Sequence, residues 1–334
     1  MSIDLFLLCD KRINKTELER DLNALGFKEE EDNLYYWFNN DFLSTRGCYF
    51  NFRYDAKFEN LETGELVTYP TLCSTITYAG RSHDDFQMQY NVLQLLKQKY
   101  GGTIKESPYD DEEINGIDNE IPKLSSTEIA CGLAYSGFVE SLHVVDYLIE
   151  DYDEKEIKTP TFYNKPLLRN NTLIPFCVTV FENFLKTFFE RYLQTNEEAK
   201  NRIFDKRKNE TLSYPTVEQL LTGEKTIIDL ELEKYSFQNV KSANRAYKKF
   251  LDFDLFDVLG QRITYEEDQD VSLNEVLSEL IETRHRIIHE AILDISLSKK
   301  IMKKYHFFLK SFGELFIKQL MNKHKLRLLI NEIL

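Results

Sequence analysis

A chain of 334 residues can bury a substantial core, and its length favours two domains. Its composition, 42% hydrophobic and 29% charged, is ordinary for a globular protein and excludes wholesale disorder. The net charge of −14 is uneven: residues 1–160 hold 15 Lys and Arg against 31 Asp and Glu, the remainder 27 against 25, so phosphate-binding work is excluded from the acidic first half and expected in the second.

The opening, MSIDLFLLCDKRIN, has a short apolar run followed by basic residues, an order that argues against a secretory signal. No stretch approaches the roughly eighteen apolar residues of a membrane span, so a cytosolic protein without membrane contact is expected. Residues 3–9 read as a first strand. TELERDLNALGF follows as a helix, with Thr16 and Glu19 at capping-box spacing, Leu18, Leu22 and Leu25 on one face, and Gly26 at the stop. Three strand-like runs come next. NLYYWF ends near Phe38, GCYFNFRY alternates Cys48, Phe50, Phe52 and Tyr54 against Tyr49, Asn51 and Arg53, and TLCSTITY sets Leu72, Ser74, Ile76 and Tyr78 on one face. A helix from about Asp84 to Tyr100 closes on Gly101-Gly102, and TIK supplies a last short strand. This order suits a small α+β sandwich over 1–105, a ferredoxin-like topology being one arrangement that fits.

Residues 106–124 contain two prolines and seven acids without periodicity, the signature of a solvated linker or insertion loop. From Ser125 the character changes to long helices, predicted over about 126–150, 173–195, 238–250, 273–293 and 297–326, with a polar stretch near 196–237. The domain from 125 to 334 is therefore expected to be an all-α bundle.

The five cysteines are scattered, so neither a zinc site nor a disulfide framework is indicated, and reduced thiols are expected. Phosphate-binding glycine loops and the zincin and GxSxG motifs are absent. His83 sits beside Asp84 and Asp85, but Ser82 and Asp85 already have the spacing of a helix cap. A reading that places the main activity around Arg81, His83 and Asp84 is the least favoured. His143, alone in SLHVVDYL, reads as a packing or surface residue.

IETRHRIIHEAIL, from Ile281 to Leu293, is different. It continues an amphipathic helix begun at Ser272, with Glu275 at capping-box spacing. The aliphatic positions expected to face a core are Leu273, Leu277, Leu280, Ile281, Ile288, Ala291, Ile292 and Ile295. Arg284, His285 and His289 lie in or beside that stripe, where an unpaired charge is costly. His285 and His289 are about 40° apart around the helix axis, so their rings can share one space, whereas Arg284 and His289 flank a face about 140° wide. Two such helices meeting across a two-fold axis would each contribute Arg and His to one cleft. Imidazole passes protons near neutrality, and a guanidinium grips phosphate with paired hydrogen bonds. Together they suit in-line attack of a ribose 2′-hydroxyl on the adjacent phosphodiester, with no metal or other cofactor. The alternative is that Arg284 pairs with Glu279, Glu282 or another acid and the histidines are bystanders.

RHRIIH, from Arg284 to His289, resembles the Arg-polar-x-x-x-His motif of HEPN-domain ribonucleases. The resemblance covers about 125–334, and these six residues carry it. It implies a dimerising helical bundle with a composite active site and metal-independent endoribonuclease activity, often in toxin–antitoxin, abortive-infection or RNA-guided antiphage defence. Arg284 would be the motif arginine, His285 the polar residue and His289 the motif histidine. On that reading His289 is the general acid/base, Arg284 binds phosphate and transition-state charge, and His285 supports proton transfer. Lys206, Arg207 and Lys208, with Lys299, Lys300, Lys303, Lys304 and Lys310, could hold the RNA backbone, or form ordinary solvated helix faces. The acidic N-terminal domain is assigned to regulation or sensing, through a protein trigger or antitoxin. The alternative from another class is a non-catalytic helical scaffold or nucleotide-binding module in a larger complex.

Overall fold

Ile3–Cys9 forms β1, which turns Leu5, Leu7 and Cys9 to one side of a sheet and Phe6 and Leu8 to the other. The computed structural model to which it belongs describes residues 2–59, 64, 66–109, 112–114, 116, 121–150, 164–266 and 269–328; the rest of the acidic linker reading lies outside them. Helix α1, Lys15–Ala24, is capped by Asn14, whose side chain accepts from the backbone N–H of Thr16 and Glu17. The Thr16–Glu19 box is not used, and the Tyr35 hydroxyl instead donates to Glu19 at 3.3 Å. Gly26 supplies the left-handed residue after the helix, at φ +89°.

A hairpin of β2, Lys28–Glu31, and β3, Leu34–Trp37, comes next, turning at Asn33 with φ 63°. Two long strands follow, β4 from Cys48 to Glu59 and β5 from Leu66 to Thr77, then α2, His83–Tyr100, and β6, Thr103–Lys105. The strand order is β2-β3-β4-β5-β1-β6, antiparallel throughout. Without the β2–β3 hairpin the path is β-α-β-β-α-β. Leu18 and Leu22 of α1 and Val92, Leu93 and Leu96 of α2 share one core with Phe50 and Phe52. On β5 Cys73, Thr75 and Thr77 face that core, and Leu72, Ser74 and Ile76 lie on the other side, as their alternation predicts. The threonines are kept in the core by polar partners. Buried Gln89 of α2 donates to the carbonyls of Ile3 and Thr75 at 2.8 and 3.1 Å and accepts from the Thr77 hydroxyl at 2.8 Å.

Contacts divide the chain into a first unit that runs to Ile129 and a second from Ala130 to Leu328. The division falls in the first turns of α3, Ser126–Glu150, whose start carries the expected Ser125–Glu128 box. Helix α4, Lys165–Thr195, begins earlier than its apolar periodicity suggested, because Asn164 caps it and Pro166 fits its first turn. Three short helices fill the polar stretch: α5 Glu197–Arg207, α6 Tyr214–Leu221 and α7 Ile227–Leu232. After α8, Val240–Leu251, and α9, Leu255–Leu259, the chain forms a hairpin of β7, Arg262–Tyr265, and β8, Gln269–Ser272. The second unit is thus mainly helical but not all-α. It ends with α10, Leu273–His289, and α11, Lys299–His324.

Aromatic side chains build its core. Phe184 stacks on Phe138 with centroids 4.3 Å apart, and Phe312 and Phe316 meet Phe181, Phe184 and Phe188 edge-on. Gly313 lets α11 approach so closely that any side chain there would collide with the Phe138 ring. Among the described residues α4 alone is long and apolar enough to cross a membrane, contrary to the expectation of no such stretch. Its most apolar window is 56% buried as core of the helical unit.

Candidate active site

Helix α10 starts at Ser272, whose hydroxyl accepts from the Glu275 N–H, and buries Leu273, Val276, Leu277, Leu280 and Thr283 at helical spacing against α4 and α11. The stripe stops at Thr283. Ile288, Ile292 and Ile295 are at least half exposed, so the predicted continuation of the core face through them is overturned. The helix itself ends at His289, four residues before the predicted stop, and Ala291 takes φ +54°. Two buried asparagines on α4 hold the chain that follows. Asn171 accepts from the Asp294 N–H at 2.7 Å and donates to its carbonyl at 3.0 Å, and Asn170 donates to the Leu297 carbonyl at 2.7 Å. These bonds satisfy backbone groups that a continuing helix would have paired internally.

This end of α10 carries the motif. Arg284 is half-buried and His285 and His289 are exposed. The two imidazoles lie against one another, ring centroids 4.6 Å apart and tilted by 40°, as four-residue spacing predicts. Arg284 makes no hydrogen bond or direct ion pair among the described residues. The acids that might have neutralised it do other things: Glu279 accepts from the Tyr305 hydroxyl at 3.0 Å and from Lys304 at 3.5 Å, and Glu282 stays exposed. It is Arg286 that is tied down, to Asp294 at 3.0 Å.

Arg284 does act through space on Glu182 of α4. Burial pushes the Glu182 carboxyl above its usual range, and the Arg284 charge opposes that rise. Glu182 also makes no hydrogen bond among the described residues. It lines a cleft of about 600 Å³ between α4 and the segment from Asp229 to Gln238. Neither Glu182 nor the cleft was found from sequence. On a long amphipathic helix, a glutamate about a hundred residues before the motif looks like any solvated acid.

The cations proposed as an RNA-backbone surface are mostly engaged. Lys299 meets Glu150 at 3.2 Å, Lys303 pairs with the same carboxylate, Lys300 meets Glu266 at 2.7 Å and Lys304 reaches Glu279. Lys310 lies 4.0 Å from Glu314. Arg207 grips buried Glu231 with two bonds of 2.6 and 2.8 Å, fastening α5 to α7. Lys206 and Lys208 are exposed at the end of α5. In the first unit, Ser82 and Asp85 form the expected capping box, and buried Asp85 also accepts from the N–H groups of Thr45 and Arg46, clamping the preceding loop. His83 Nδ1 lies 3.6 Å from Asp84 and makes no hydrogen bond among the described residues. His143 is an exposed residue of α3. Among the described residues no three His, Cys, Asp or Glu side chains gather as metal ligands, and the five cysteines are buried, unpaired thiols.

No protein-family model, no curated protein and no solved structure matches this chain.

Proposed function

We propose that the helical unit is a metal-independent endoribonuclease of the HEPN type, acting as a homodimer, and that the protein is a toxin or antiphage-defence effector. One observation carries the reading: a half-buried guanidinium that bonds no described residue occupies the same helix end as two touching, solvent-facing imidazoles. A stability role would have given Arg284 an acid to bind, as it did Arg286. A phosphodiester supplies the missing partner. Arg284 would hold its non-bridging oxygens and the charge that builds on them in the transition state. One imidazole, His289 first, would take the proton from the ribose 2′-hydroxyl as its oxygen attacks phosphorus. The other, from His285 or from the second copy, would protonate the departing 5′-oxygen. The products are a 2′,3′-cyclic phosphate and a 5′-hydroxyl.

The exposed isoleucines support the dimer. Ile288, Ile292 and Ile295 border the histidines, and a second copy of the same face would cover them while closing the cleft. The acidic first unit, which repels RNA, would then serve to restrain or trigger the nuclease.

The test is the purified full chain beside Arg284→Ala and His289→Ala, checked for dimer mass and incubated with total RNA in EDTA. Cutting by the wild type alone, with cyclic phosphate ends, is the expected result. Equal cutting by all three would remove the assignment of this helix. No cutting in vitro, together with no growth defect on expression, would favour a non-catalytic scaffold or nucleotide-binding module.

A further inference from the structure

We infer that the 600 Å³ cleft lined by Glu182 is a nucleobase pocket that selects guanine in the RNA substrate, an inference that rests on the ribonuclease reading. Its volume lies within the range of small-molecule sites, roughly 300–1,000 Å³. Its lining decides the chemistry. Glu182, Glu190, Asp229 and Glu233 outnumber the single cation Lys186, so a phosphate is repelled and a neutral ligand rich in donors is favoured. Of these acids, Asp229 is spent on the cap of α7, Glu233 on Lys225 at 2.6 Å, and Glu190 accepts from Gln194 at 3.0 Å. Glu182 alone has no donor among the described residues, although burial raises the cost of leaving its carboxylate unbonded.

Guanine is the RNA base that presents two adjacent N–H donors, N1–H and the 2-amino group, to one carboxylate. Its neighbouring O6 accepts, and Asn183, one residue on and lining the same cleft, carries an amide able to donate to it. Tyr235 and Phe237 offer aromatic surface against which a base can lie. Glu182 sits on α4, the helix against which α10 packs, and it feels the Arg284 charge, so a base held there shares a helix pair with the group proposed to bind phosphate.

Neutral nucleosides test the pocket without requiring catalysis. Binding of guanosine, inosine and adenosine to the full chain would be measured by saturation-transfer NMR and calorimetry, for the wild type, Glu182→Gln and Asn183→Ala. Guanosine should bind roughly tenfold more tightly than inosine, which lacks the 2-amino group. That preference should vanish in Glu182→Gln, an isosteric change that keeps the fold, and guanosine should weaken in Asn183→Ala. No nucleoside binding, equal binding of all three, or a preference that survives Glu182→Gln would overturn the inference, whatever the RNA-cutting assay shows. Guanosine binding with neither RNA cutting nor a growth defect on expression would instead remove the ribonuclease reading and leave the guanine site standing.

Discussion

Arg284 and Arg286 stand two residues apart on one helix and have different surroundings. Arg286 bonds Asp294, part of the loop that follows, and Arg284 bonds no described residue. Their alanine variants should therefore separate stability from activity. Arg284→Ala should leave unfolding free energy within about 0.5 kcal/mol of the wild type, because no direct interaction is lost. It should lower RNA cutting by about a hundredfold or more, the usual loss when a charge stabiliser is removed from a transition state. Arg286→Ala should retain most activity and cost at most about 1 kcal/mol, since its pair is partly exposed and screened. Denaturant melts read beside initial cleavage rates would decide it. A large stability loss in Arg284→Ala would show a structural arginine after all. The motif was legible because charge inside an apolar period is visible in one dimension. Glu182 was not, since only the packing of α4 against α10 gives it meaning.

At the scale of elements, the motif-bearing end of α10 is shaped by α4 as much as by its own sequence. Periodicity carried the helix on to Leu293, because Ile288, Ala291 and Ile292 keep helical spacing. Asn170 and Asn171 override it by offering better partners to the backbone of Asp294 and Leu297. Asn171→Ala leaves an N–H and a carbonyl of Asp294 without those bonds in a largely buried place. It should cost about 1–3 kcal/mol. It should also reduce cleavage, because the loop fixes the end of the helix that carries His289. Hydrogen exchange at Asp294 should rise in step with the loss, and an unchanged exchange rate would separate the loop from the site. Other elements escaped the sequence for related reasons. The strand KEEE, Lys28–Glu31, is exposed on both faces and has no apolar alternation to read. The β7–β8 hairpin is only four residues on each side. The long, buried strands and helices, β1, β4, α2, α3 and α11, were legible because each repeats its burial signal several times.

For the whole helical unit, two histidines outside the candidate site tie stability to pH. His306 of α11 is held below the ordinary histidine range by burial, against the pull of Asp146 and the Leu142 carbonyl, with Lys310 and His143 adding to the fall. His324, at the far end of the same helix beside Tyr192, is lowered by burial and by Lys323 and Arg202, against Asp252 and the Leu251 carbonyl. Each imidazole takes up a proton less readily in the folded unit than in the unfolded chain, where it does so near pH 6.5. The unfolded state therefore binds more protons below that point, and stability must rise with pH through the window. Their contribution is complete above about pH 6.5 and is lost as pH falls toward the folded values. The midpoint of denaturant unfolding should drop between about pH 7.5 and 5.5. The slope should flatten in a His306→Gln, His324→Gln double variant even if its absolute stability is lower, since only the slope reports the protons. An unchanged slope would mean that both rings can be protonated in place.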